Sequence, residues 1–530
     1  MSTPSEKLNT KAAGLIGIAV MFSRVLGLAR EMVFAALFGG GVVMDAFTIA
    51  FRTPNLLRDL FAEGALSTAF VTTFSRTSAS DGDQAAWKLA NKIGTLAAVF
   101  MSAITVLGIV LAPWLIAFLA PGFEGAKAEL TVSLTRVMYP FILLVSLAAL
   151  VMGVLNAKDV FGAPAMASSF FNIGSIVGGV VIGWAIDPHF GPSAVYGLAI
   201  GTLIGGALQL GSQLPSLRRV GYAFQFDFHW RDPGVRNVLI LMGPSLIAAS
   251  STQVNVLINS IFASQLGDGP TFWLAIAFRL MQLPLGVIGV ALGTVSLPLL
   301  ARLAARGEDT AFRSELSRSL RLTFLMSIPA TLGLMILAEP IMSVLYQHGK
   351  FGVQQTASAA AALRFYAIGL CGYAALKVLV NSFYALGQRR TPMLVSMGAI
   401  AINFVLSWFF TFRLGLGHRG LALSTACIAS INFLVLYAIM RKRLGRLETS
   451  HMTSMLMRIS IPSALLVGVC FAGRYLALDN WAALALVPKL VALGVTVCFA
   501  VAAFFGTAML FRVAELEAIA SGLKRRLKRA

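Results

Sequence analysis

Residues 14–40 read GLIGIAVMFSRVLGLAREMVFAALFGG, and residues 44–70 read MDAFTIAFRTPNLLRDLFAEGALSTAF. The first stretch is apolar or small-residued except around Arg24, Arg30 and Glu31. At about 1.5 Å rise per residue it is long enough to cross a hydrocarbon core of about 30 Å. Arg24 then lies about 18 Å into the span, near the bilayer centre. A lipid-facing arginine there costs at least about 2.5–3.5 kcal/mol, so such a residue is expected to face a bundle interior or a wet cavity.

Apolar runs of this kind recur along all 530 residues, 58% of which are hydrophobic and only 12% charged. A soluble protein of that size needs more charge to cover its surface. Fourteen spans are expected, at 12–38, 43–75, 84–120, 129–156, 162–186, 192–217, 235–266, 270–303, 314–347, 355–387, 391–413, 419–440, 454–475 and 482–512. The fold expected is an all-α integral membrane protein. Basic residues collect on one side of these spans: Lys7 and Lys11, Arg76, Lys88 and Lys92, Arg218, Arg219, Arg231 and Arg236, Arg389 and Arg390, and the tail LKRRLKRA. The opposite loops, such as PGFEGAKAEL and GDGP, are short and nearly bare. The positive-inside rule then puts both termini in the cytoplasm. Net charge is +20, which membrane topology accounts for without nucleic acid. No cleavable signal is expected, and Cys371, Cys427, Cys470 and Cys498 read as reduced packing residues.

The halves echo each other at a period near 227 residues. Phe34-Ala35 answers Phe262-Ala263, Phe51-Arg52 answers Phe278-Arg279, and Pro164 answers Pro392. Repeats are common in transporters. The expected organisation is a tail at 1–11, a six-helix lobe at 12–220, a second at 230–443, two further spans at 454–512 and a basic tail at 513–530.

Charge at membrane depth marks the candidate site. Arg24 and Arg30 are roughly 120° apart around a helix, so they line different walls unless Gly27 permits a bend. Competing readings are an ion pair of Arg24 with Glu31 or Asp45, and snorkelling of Arg30 to the outer interface. Asp45, Arg52 and Asp59 share one helical face, and Pro54 is expected to kink that helix. Arg58 and Glu63 follow. Arg279 lies about 12–15 Å into the eighth span. Arginines outnumber nearby carboxylates, which favours an anion, and the guanidinium fork suits phosphate or pyrophosphate. There is no Walker A motif, HExxH or GxSxG elbow, so neither ATP hydrolysis nor hydrolase chemistry is expected.

The stretches MFSRVLGLARE, PNLLRDLFAEGALSTAFV, RLMQLPLGVIGVALGTVSLPLLARL, LYQHGKF and FYALGQRRTP closely resemble the MurJ (MviN) lipid II flippases of the MOP exporter superfamily. The resemblance implies two six-helix lobes in a V shape around a cationic cavity, a groove at the last two spans for the undecaprenyl tail, and alternating access. It implies lipid II and membrane lipids as partners, cell-wall synthesis machinery as a further partner, and no enzyme activity. By the matching motifs, Arg24 and Arg30 resemble pyrophosphate-binding residues. Asp45 and Arg58 resemble the family's charged second-span residues, and Arg279 its second-lobe arginine. Ser23, Arg52, Asn55, Glu63 and Asn172 are further candidates. No metal and no cofactor are expected, with membrane potential or an unidentified ion as the drive. Phe278 stands where some members carry an acid, which puts a carboxylate–Arg279 pair in doubt. Rival readings are an O-antigen-type flippase or drug exporter of the same superfamily and, from other classes, a membrane glycosyltransferase or a scaffold.

Overall fold

The structure is a computed structural model and describes residues 10–59, 66–445, 447–513 and 515–516. Glu63 and the greater part of both tails lie outside them. Among the described residues there are helices and no strands. In the first half these are α1 (Thr10–Phe38), α2 (Val42–Leu57), α3 (Ser67–Asp81), α4 (Asp83–Leu119), α5 (Gly125–Met138), α6 (Phe141–Ala157), α7 (Gly162–Ile186), α8 (Val195–Gly211), α9 (Leu214–Arg219) and α10 (Pro233–Ser264). Then follow α11 (Pro270–Ala305), α12 (Asp309–Ile336), α13 (Ala338–Tyr346), α14 (Val353–Ile368), α15 (Leu370–Ala385), α16 (Arg390–Trp408), α17 (His418–Leu444), α18 (Thr449–Ala477) and α19 (Leu486–Leu510).

Ten of the helical stretches are long and apolar enough to cross a membrane, or eleven if α14 and α15, bent by 44°, are one span. The chain is a multi-pass membrane protein. Helices occur at every stretch expected to span, but α1, α2 with α3, and α10 are not among the ten or eleven. A count of fourteen spans is therefore not confirmed.

The chain forms two compact units, residues 1–271 and 272–530. In the first, α7 and α8 approach so closely that glycine is required along their seam. A Cβ on Gly197 would lie 2.2 Å from the Gly183 backbone nitrogen, and one on Gly201 2.4 Å from that of Gly179. Small residues at such crossings replace hydrophobic driving force with backbone contact. α1 packs on α7, α2 on α5, and α10 on α3 and α4. In the second unit, α12, α15 and α17 pack together, and α18 pairs with α19. All four cysteines are free thiols.

Candidate functional site

Arg24 is the central residue of the 29-residue α1, which runs unbroken through Gly27. It is exposed, among exposed Val20, Met21, Phe22 and Val25. Among the described residues it takes part in no hydrogen bond or ion pair, with Glu31 and Asp45 or any other group. The backbone beside it is fixed. Asn172 of α7 is buried and donates from Nδ2 to the Ser23 carbonyl at 3.2 Å and to the Ser168 carbonyl at 3.0 Å. The glycine seam holds α7, α7 holds Ser23, and the next residue presents an unneutralised guanidinium.

Arg30 faces the other way and is 9% exposed. It has not snorkelled. Its guanidinium lies 5.1 Å from the Phe171 ring centroid of α7 and 5.9 Å from that of Phe51 on α2. Phe141 closes the wall, 5.6 Å from Phe51 and 5.4 Å from Phe171. Ring faces attract a cation by about 0.5–2 kcal/mol, more as water is excluded, and guanidinium sheds water more readily than ammonium.

Of the shared face expected for Asp45, Arg52 and Asp59, the latter two meet α10. Arg52 donates to Ser260 Oγ at 2.5 Å, and Gln253 donates to Asp59 at 3.4 Å, seven residues earlier on α10 for seven later on α2. Asp45 is fully buried. It accepts from Lys127 Nζ at 2.9 Å and from the Gly269 N–H at 2.7 Å. Lys127 also reaches Asp268 at 2.9 Å and lies 4.1 Å from the Phe123 ring centroid. Arg58 pairs with its neighbour Asp59 at 2.9 Å. Just past Pro54, residues 58 and 59 widen into a π-helical turn, a feature that often accompanies a disturbed backbone ladder. Asn55 Oδ1 is buried with no hydrogen-bond partner among the described residues.

In the second unit Arg279 is half-buried on α11. Phe278 beside it packs against Tyr366 at 5.2 Å and Tyr373 at 6.3 Å. An aromatic cluster thus stands where some relatives were expected to have a carboxylate. Arg364 is held in a structural cluster, where Glu339 serves both Arg364 and, at 2.7 Å, Arg474. Among the described residues no group of three or more His, Cys, Asp or Glu side chains could hold a metal ion.

Residues 34–492 match the family described as "Lipid II flippase MurJ". The chain belongs to the MurJ family. It is 37% identical over 429 residues to the "Lipid II flippase MurJ" of Burkholderia cenocepacia, covering 80% of this chain and 82% of that one. It is 34% identical over 518 residues to the "Probable lipid II flippase MurJ" of Bdellovibrio bacteriovorus, covering 96% of each. A solved MurJ structure, in an inward closed conformation, superposes with a TM-score of 0.77 at 24% identity, over 93% of this chain and 99% of that one. A multidrug-resistance MATE transporter of the MOP superfamily gives 0.66 at 14% identity, over 82% and 99%. At these identities the two structures show the fold alone.

Within this MurJ chain, the sequence singled out Arg24, Arg30 and the α2 face. It missed Lys127 and Phe171. Lys127 lies in the first turn of α5, in a stretch the sequence reading took for a nearly bare loop, and its one signal was being a lone lysine at the same membrane face as Asp45. Phe171 looks like any core phenylalanine.

Proposed function

We propose that the chain is a lipid II flippase, moving an undecaprenyl-pyrophosphate-linked peptidoglycan precursor from the cytoplasmic to the outer leaflet of a bacterial inner membrane by alternating access. Family membership supports the substrate, and one observation carries its chemistry. Arg24 is charged, exposed and without a counter-charge among the described residues at the middle of α1. A guanidinium at that depth is tolerable only where water or an anion reaches it. Its planar fork meets a diphosphate with two parallel charge-assisted hydrogen bonds.

In this reading Arg24 takes the pyrophosphate, Arg30 raises the local positive potential, Arg58 is a further contributor held by Asp59, and Arg279 is the proposed cation of the second unit. Asn55 offers an acceptor to the headgroup. Asp45 and Asn172 act as positioning residues, because their polar atoms already serve Lys127 and Gly269, and Ser23 and Ser168. Ser23 and Arg52 shape the same wall, and Glu63 is proposed as a further contributor. Binding biases the carrier only by its differential affinity for the two end states. The membrane potential adds about 2.3 kcal/mol per charge moved through 100 mV. No cofactor is proposed. Both termini face the cytoplasm by the positive-inside rule, where cell-wall synthesis enzymes would hand over the substrate.

The test is rapid depletion of the protein followed by labelling of lipid II headgroups from outside. Wild-type protein restores outer labelling. Arg24→Ala, present at equal membrane level, is expected not to; full restoration by that variant overturns the pyrophosphate role.

A further inference from the structure

The chain between α9 and α10 reads YAFQFDFHW over residues 222–230, with an aromatic side chain at every second position. It is extended. Two hydrogen bonds pin it along α4: the Gln225 N–H donates to Asn91 Oδ1 at 3.1 Å, and the Asp227 N–H to Thr95 Oγ1 at 3.0 Å. The acceptors are one helical turn apart, so the segment runs with the helix. Alternation along an extended chain then presents the aromatic residues together. Tyr222 rests on Trp87 at 5.4 Å. The other four, Phe224, Phe226, Phe228 and Trp230, remain 58%, 73%, 48% and 55% exposed. Such a row in water would be a liability, and it suits a membrane interface.

Trp230 also lines an apolar cavity of about 340 Å3 between α4 and α10, with Ile93, Phe100, Val235, Leu239 and Met242 on its walls. Two cations adjoin its lining residues in the chain. The Arg231 guanidinium lies 4.7 Å from the Trp230 ring centroid, and Arg236 follows Val235 on α10. Both arginines are exposed, and among the described residues neither has a carboxylate partner. Asp232, which lies between them in the chain, is taken by Lys92 at 2.5 Å.

We infer that the aromatic segment, the α4–α10 cavity and the two arginines form a binding site for an anionic phospholipid. An acyl chain fills the cavity and the phosphate meets Arg231 and Arg236. The occupant follows from charge complementarity above and an apolar wall below, the pairing by which basic residues beside a membrane select anionic lipid. The site shares no residue with the Arg24 and Arg30 surroundings, so it stands whether or not the pyrophosphate reading does.

The test uses the full-length protein in phosphatidylcholine vesicles. These contain acyl-brominated phosphatidylglycerol or acyl-brominated phosphatidylcholine at equal mole fraction. Quenching assigned to Trp230 is the difference between the wild-type protein and Trp230→Phe. Half-quenching is expected at a roughly 10- to 30-fold lower fraction of the glycerol lipid, the effect of two cations at an anionic headgroup. Arg231→Gln with Arg236→Gln should abolish that preference. Equal quenching by the two lipids overturns the proposal, as does absence of Trp230 quenching, or a preference that survives the double substitution. Relief by undecaprenyl pyrophosphate but not by unlabelled phosphatidylglycerol would also overturn it, by giving the cavity to the transported lipid's tail. The wild-type comparison decides even if the double variant does not fold.

Discussion

Asp45 and Arg24 sit on consecutive helices and meet opposite conditions. The Asp45 carboxylate is fully buried and saturated, with Lys127 at 2.9 Å and the Gly269 N–H at 2.7 Å. Arg24 is exposed and has no partner among the described residues. Both are ionisable groups in a membrane protein, where each is expensive. At Asp45 the protein's own groups balance the charge, so it ties α2 to α5 and to the chain leading into α11. At Arg24 nothing in the described chain does, although Asn172 and the α7–α8 seam hold the adjoining backbone in place. Fixed backbone with an unmatched charge is what a ligand site requires; fixed backbone with a matched charge is what a strut requires. Arg30, packed on Phe51 and Phe171, lies between the two cases.

The contrast can be broken first at Asp45. Removing one member of a buried, hydrogen-bonded pair costs about 3–5 kcal/mol. Asp45→Ala should therefore lower the thermal unfolding temperature of the purified protein more than substitution of Arg30, Asn172 or Asp232. Adding Lys127→Met should cost less in the Asp45→Ala background than alone, because the two groups share one interaction. Additive losses would show that Asp45 and Lys127 do not act as a pair.

Arg30 gives a smaller effect. Phe171→Leu removes a ring face worth about 0.5–2 kcal/mol to the guanidinium. Arg30→Met should therefore destabilise the wild-type protein differently from the Phe171→Leu variant, by a coupling of that size in a double-mutant cycle. A coupling of zero would mean that the ring and the cation are merely neighbours. Asn172→Ala loses the bonds to Ser23 and Ser168, about 1 kcal/mol in stability. Because the lost bond lies beside Arg24, transport should fall further than stability alone explains.

The smallest effect lies at the basic face. Burial raises the pKa of Asp232, but the hydrogen bond from Lys92, the N–H groups of Gly234 and Val235 and the charge of Lys92 together bring it below the ordinary carboxylate value of 3.8. A depressed carboxylate stabilises the fold above its unfolded value and loses that contribution as pH falls through the folded one. The stability difference between wild type and Asp232→Asn should thus be constant from pH 8 down to about pH 5 and shrink below about pH 4. A difference that grows on acidification would contradict the Lys92–Asp232 pairing.

Much of this was legible in the sequence, and for identifiable reasons. Apolar runs and the sidedness of lysine and arginine report on a planar solvent boundary, which every span feels independently. Helices accordingly occur where the runs do. Arg24 stood out because a single residue at depth is anomalous without reference to any partner. The α2 face was legible because its spacing is local. What was not legible depends on residues far apart in the chain. Lys127 reaches Asp45 across 82 positions, and Asn172 reaches Ser23 across 149. Phe171 becomes special only because α7 brings it over Arg30. α10, expected to open the second lobe, packs on α3 and α4, which no local periodicity signals. The aromatic alternation at 222–230 was readable as a pattern, but its meaning depends on Asn91 and Thr95 fixing it to α4.

On this reading the unmatched charge of Arg24 is reserved for a diphosphate. It is tested most directly by measuring binding of undecaprenyl pyrophosphate to detergent-solubilised wild-type protein and to Arg24→Ala, with thermal unfolding recorded for both. Two charge-assisted hydrogen bonds at about 1.5–3 kcal/mol each predict a loss of affinity of at least about 100-fold at nearly unchanged unfolding temperature. Equal affinity in the two proteins would contradict the account, and so would a loss of binding that merely follows a loss of stability.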